Sequence, residues 1–334
     1  MRVLFAGSPA IAVPSLKAVA EMEGGIVLAG LLTNPDRPRR HNQTEPTDVS
    51  AAALTLDINR REKGLPPIAQ LKPEKLNAEA REMVASLAPE LLVSFAYGRL
   101  FGPRFLALFP LGGINIHPSL LPKYRGASPI PAVIMAREKE TGICIQKLAE
   151  ELDSGDILAF ERILLTGRET TLSLTESVAE KAALLLRRLL LDFKSASANA
   201  QPQEGEAVYC REIKKEEGFI DWRKSASEID AQIRAFTPWP LSFTRRGNDI
   251  LLILEAEPFI DPIGTDLPAT PAGQPATTPQ PPGTVLGIDK NRGVLLQTGD
   301  GILAVSRLQW QAKKPLDWKA FCNGERDFVG TQLQ

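Results

Sequence analysis

Short apolar runs alternate with helical stretches through the first half of this sequence, and that alternation leaves few folds open. "RVLFAG" (2–7) reads as a buried strand and is followed by a helical "VPSLKAVAEM". "GIVLAGLLT" (25–33), "PELLVSFAYG" (89–98) and "GINIHP" (113–118) are further strands, with "PRFLALFP" a short helix between the last two. A helical "PIPAVIMARE" and the strands "TGICIQKLAEEL" and "DILAFERILL" come next. The clearest amphipathic helix is 172–196, with a Thr/Ser-rich entry and apolar positions three and four apart. This spacing predicts βαβ units, hence an α/β domain with a doubly wound, mostly parallel sheet over residues 1–196.

The chain then changes character. Residues 197–207 are small, polar and marked by Pro and Gly, the composition of a linker. From 208 to 334 the apolar runs are short and β-like, and turn residues such as Lys-Asn-Arg-Gly and Gly-Asp-Gly separate them. Strands so closely spaced predict a small antiparallel β-barrel of OB-like type. Residues 261–283 interrupt it with seven prolines, a low-complexity insertion expected to be a disordered loop between two strands.

The formal net charge is −1, and residues 208–334 carry 15 Lys and Arg against 16 Asp and Glu. No global field steers such a chain toward a polyanion, so any nucleic-acid surface must be a local patch made by folding. Cys144, Cys210 and Cys322 are odd in number and widely spaced, which argues against a disulfide framework and fits a reducing compartment. Pro9 and Pro14 break the apolar start, and no run reaches the ~20 apolar residues of a membrane helix. A cytoplasmic protein without a membrane span is expected.

The chain has only two histidines. His117 follows Asn115 by two positions on "GINIHP", so both side chains project to one side of that strand, and Pro118 ends it. Ligands of open α/β sheets sit outside the carboxyl ends of the strands, where this pair falls. "ELDSGDIL" places Asp153 and Asp156 in a similar turn. Each of these has an ordinary reading alone, as a satisfied polar residue, a backbone cap or a turn. The other histidine, His41, lies in a polar loop, so no histidine cluster forms and no metal is expected. Ser119 has no G-x-S-x-G elbow around it, and the "AGSPAIAVPS" segment lacks G-x-G-x-x-G.

Taken together, "NIHPSLLPKYRGASPI" and "LDSGDIL" resemble the signature of formyltransferases that use 10-formyltetrahydrofolate. "GFIDWRKSASEIDAQIRAFTPWPLSFT" and the stretch from "PPGTVLGID" to "KAFCNG" resemble the carboxyl-terminal domain of the branch that acts on aminoacyl-tRNA. The resemblance covers nearly the whole chain apart from the proline-rich insertion. It implies a Rossmann-like formyltransferase domain followed by a tRNA-binding barrel, and a catalytic trio of Asn115, His117 and Asp153. It also implies folate contacts from Ser119, Leu120, Leu121 and Pro122 and from Phe95, Tyr97 and Gly98. The implied acceptor is the α-amino group of initiator methionyl-tRNA, with an amino sugar-nucleotide as the alternative; "RAFTPWP" favours tRNA. The family's Lys-rich stretch with a "PSPVK"-like tail is replaced here by "DRPRRHNQTEPTDVS", in which Arg37, Arg39 and Arg40 are the candidate tRNA contacts. The enzyme is expected to act as a monomer. In the expected chemistry, Asn115 and a protonated His117 donate to a developing oxyanion, while Asp153 orients the imidazole and helps to remove the amine proton.

Overall fold

A computed structural model describes residues 1–38, 44–62, 64–259, 280–325 and 327–334. Arg39, Arg40, His41 and most of the proline-rich insertion lie outside the described residues. The chain divides into two compact units: residues 1–129, 140–165 and 173–211 form the first, and 130–139, 166–172 and 212–334 the second.

The first unit is built on a seven-stranded sheet. Its strands are β1 (Arg2–Gly7), β2 (Val27–Leu32), β3 (Gln70–Leu71), β4 (Leu91–Phe95), β5 (Gly113–His117), β6 (Glu140–Lys147) and β7 (Ile157–Leu164), in the order β7-β6-β5-β4-β1-β2-β3. The five strands from β5 to β3 run parallel. β6 and β7 add an antiparallel hairpin beside β5. Val3 to Ala6 and Leu91 to Val93 are wholly buried. These unbroken apolar runs are what a sheet covered on both faces requires. The chain winds one way from β1 to β2 and the other way from β1 to β4 and β5. Such a reversal of strand order opens a crevice at the carboxyl ends of the strands. The helix Thr171–Leu191 buries Leu174, Val178, Ala182, Leu185, Leu186 and Leu189, a stripe at helical spacing.

The polar stretch after that helix stays on the first unit. Ile157 and Gln201 exchange backbone hydrogen bonds of 2.7 and 3.0 Å. Tyr209–Cys210 then runs as a two-residue parallel ladder beside Arg125–Gly126. This path brings residues 201–210 to the hairpin turn between β6 and β7.

The second unit has β8 (Ser242–Arg246), β9 (Asp249–Pro258), β10 (Val285–Asp289), β11 (Gly293–Gln297), β12 (Ile302–Trp310) and β13 (Leu316–Asp317). They pair antiparallel in the order β8-β9-β12-β11-β10, with β13 on β12. The short strands had implied this pairing. The helix Ala226–Ala235 starts with a capping box, in which Ser225 and Glu228 satisfy each other's backbone N–H. Its Ile229 and Ile233 pack with Leu251, Leu303 and Val305 in the core of this unit. Among the described residues, no helix is long and apolar enough to cross a membrane.

Candidate active site

β5 ends at the crevice with Asn115 and His117 on one side of the strand, and the β6–β7 turn delivers Asp153 to them. The Asn115 amide donates to Asp153 Oδ1 at 3.3 Å. His117 Nδ1 lies 3.5 Å from Asp153 Oδ2. Two donors that sequence reasoning missed complete the carboxylate's surroundings. Gln146 Nε2 donates to Oδ1 at 3.0 Å, and the Gly126 N–H donates to Oδ2 at 2.9 Å. Asp153 itself has φ +53°, in the left-handed region that few non-glycine residues occupy. The His117–Asp153 pair is almost closed to water, with side-chain exposures of 5% and 9%, and Asn115 is half-buried beside it.

His117 Nε2 lies 2.8 Å from the Tyr124 carbonyl. A carbonyl only accepts, so the N–H of the neutral ring sits on Nε2 and the lone pair on Nδ1 faces Asp153. Burial pushes the imidazole pKa below the ordinary histidine value, and this outweighs the upward pull of Asp153 and of the Tyr124 carbonyl. The lowered pKa favours the neutral ring at neutral pH, the form that can take up a proton. Its two nitrogens nevertheless both face acceptors, so a proton arriving at Nδ1 would find each N–H of the imidazolium matched.

Ser119 through Pro122 continue from β5 as a turn. The Ser119 hydroxyl is buried and donates to the Lys123 carbonyl at 2.6 Å, so it is not a nucleophile paired with His117. Leu121 N–H donates to Cys144 Sγ at 3.4 Å. Burial pushes the Cys144 thiol up to about 11, which keeps it protonated. Leu120 lies against Gly142 of β6, where a Cβ would run into the leucine side chain.

The β4 end lies beside this turn, since Ser94 pairs with Asn115. Phe95 and Tyr97 are 1% and 2% exposed, and Tyr97 stacks on Phe101 with ring centroids 5.4 Å apart. Their side chains belong to the core, so this segment offers the crevice backbone. Ala96 and Gly98, both exposed, have φ of +51° and +80° and carry that backbone outward. Arg37 is exposed beyond β2, in register with Glu45. Arg39 and Arg40, named with it as tRNA contacts, lie outside the described residues.

Of the residues missed, Gln146 left a signal. It is the uncharged polar residue within "GICIQ", a run that otherwise reads as wholly apolar, and it is 1% exposed. Gly126 acts through its backbone and left none.

A doubly wound sheet with an amide, an imidazole and a carboxylate gathered in its crevice, followed by an antiparallel second unit, is the layout of a two-domain formyl-group transferase. Residues 1–190 match the family model for formyl transferase, and residues 212–326 match the model for the formyl transferase C-terminal domain. A methionyl-tRNA formyltransferase of Treponema denticola is 48% identical over 333 residues, covering 98% of each chain. The chain belongs to the methionyl-tRNA formyltransferase family. Among solved structures, a methionyl-tRNA formyltransferase from Clostridium thermocellum aligns over 77% of this chain and 93% of its own, at TM-score 0.53 and 17% identity. The sugar 3N-formyl transferase WlaRD, solved in the presence of dTDP and 5-N-formyl-THF, aligns over 94% of this chain and 99% of its own, at TM-score 0.62 and 16% identity. At such identities these two likenesses speak to the fold.

Proposed function

We propose that this chain transfers the formyl group of 10-formyltetrahydrofolate to the α-amino group of initiator methionyl-tRNA, acting as a monomer in the cytoplasm. The observation that carries the reading is the Asp153 carboxylate held between Asn115 and His117, in a chain with full-length methionyl-tRNA formyltransferase relatives.

The folate supplies the formyl carbon on its N10. The acceptor amine forms a new C–N bond to that carbon, the bond to N10 breaks, and one proton passes from the amine to N10. A carbonyl under attack builds negative charge on its oxygen, and a donor already aimed there in a dry site stabilises it. The Asn115 amide spends one N–H on Asp153 and has a second for this oxygen. The Asp153–His117 pair takes the amine proton: with the ring neutral at rest, Nδ1 and the facing carboxylate share it, and the imidazolium formed opposes the oxyanion. The same pair returns the proton to N10. For the folate itself, the 119–122 turn and the exposed backbone at Ala96 and Gly98 flank the crevice.

The test is formyl transfer by the purified chain to two acceptors, initiator methionyl-tRNA and an amino sugar-nucleotide. Transfer to the tRNA alone is expected, and Asn115→Ala should lower turnover by roughly 10²- to 10³-fold. Transfer to the sugar alone would overturn the reading.

A further inference from the structure

We propose that Gln203, from the polar stretch that follows the first unit's last helices, is a positioning residue for Asp153; this rests on the formyl-transfer reading above. Three acceptors of the catalytic hairpin share the two N–H groups of Gln203 Nε2: Gln146 Oε1 at 3.1 Å, the Asp153 carbonyl at 2.8 Å and the Gly155 carbonyl at 2.9 Å. Its Oε1 accepts from Arg125 Nε at 3.1 Å and Nη2 at 2.7 Å. The two ends of the amide are thus distinguished by their partners. Everything facing Nε2 accepts and everything facing Oε1 donates, so the orientation of the side chain is fixed.

The links run in one direction. Arg125 donates to Gln203, Gln203 to Gln146, and Gln146 to the Asp153 carboxylate. Hydrogen bonds aligned in this way polarise one another. Arg125 is itself held: Tyr209 OH accepts from it at 3.2 Å and donates to Glu151 Oε1 at 2.9 Å. The residue that holds the turn therefore arrives from about 50 positions along the chain. It replaces what the turn cannot supply for itself, because Asp153 sits in the left-handed region and the carbonyls on either side of Ser154 need donors.

The experiment is steady-state kinetics of full-length Gln203→Ala and Gln203→Glu with 10-formyltetrahydrofolate and methionyl-tRNA. It is paired with 1H–15N spectra of histidine-labelled protein, in which only two imidazoles appear. A displaced carboxylate costs alignment in the reacting complex, so Gln203→Ala should lose roughly 10- to 100-fold in kcat with both KM values within about twofold. Gln203→Glu should lose at least as much, since a carboxylate oxygen would then face three acceptors. In both variants the His117 imidazole signals should move. Wild-type kcat with unmoved imidazole signals would overturn the proposal, as would a loss confined to KM for the tRNA, which is the behaviour of a tether. Inactivity of the wild type toward methionyl-tRNA would sink the functional reading instead, and the imidazole signals would still decide the role of Gln203.

Discussion

His117 illustrates how far a single residue can be read from sequence. Its neighbour Asn115 was legible from the two-residue spacing at a strand end, and Asp153 only through the family resemblance, which singled it out from Asp156 in the same turn. Its charge was not, since that depends on burial and on the Tyr124 carbonyl, neither of which spacing reveals. The consequence is measurable. The folded-state pKa lies below the unfolded value of 6.5, so between the two the unfolded chain binds more protons than the folded one. Stability is then fully present above about 6.5 and is lost as pH falls toward the lowered folded value, at no more than about 1.4 kcal/mol per pH unit for one group. Urea unfolding of the wild type and His117→Asn across pH 5–7 isolates this contribution as a difference. The wild type should lose stability on acidification faster than the variant. Equal slopes would mean that His117 is not held neutral by burial.

At the scale of elements, the apolar runs identified every long strand of both sheets, because a buried strand must be apolar and cannot hide. The two-residue edge strand Gln70–Leu71 and the helix Asp48–Glu62 were not anticipated. That helix buries Ser50 and Asp57 beside its apolar residues, so its inner face carries a mixed signal; Asp57 accepts the Ile68 N–H there at 2.8 Å. The polar stretch 197–207 misled for the same reason, since its work is hydrogen bonding to the catalytic hairpin and polar composition reads as a linker. A Cβ at Gly155 would run into the Lys147 carbonyl, in a turn closed by the Lys147 N–H on the Asp156 carbonyl at 2.9 Å. The clash is with backbone, which has little room to yield. Gly155→Ala should therefore cost about 1–3 kcal/mol in a denaturant titration, the usual range for overpacking. It should also lower kcat, because Asp153 lies two residues away. A variant within about 0.5 kcal/mol of wild type, the ordinary range for an uninvolved surface position, would show that the turn gives way without strain.

The whole molecule meets a polyanionic acceptor with a net charge of −1 and a balanced second half. Attraction to tRNA must come from particular residues, because a neutral chain focuses no long-range field. The composition made that much legible and did not say which residues they are. Arg37 is the candidate within the described structure: exposed, just beyond β2, and on the rim where the parallel strands end. If it meets a phosphate, its removal weakens binding without touching the chemistry. Each phosphate contact displaces about one condensed counterion, so its loss flattens the dependence of log KM on log salt by roughly one unit. Arg37→Ala should accordingly raise KM for methionyl-tRNA at low salt, leave kcat unchanged, and show that shallower slope. KM for the folate, which carries no phosphate backbone, should keep the wild-type salt dependence. An unaltered slope for the tRNA would remove Arg37 from the interface and leave the contact to residues elsewhere in the chain.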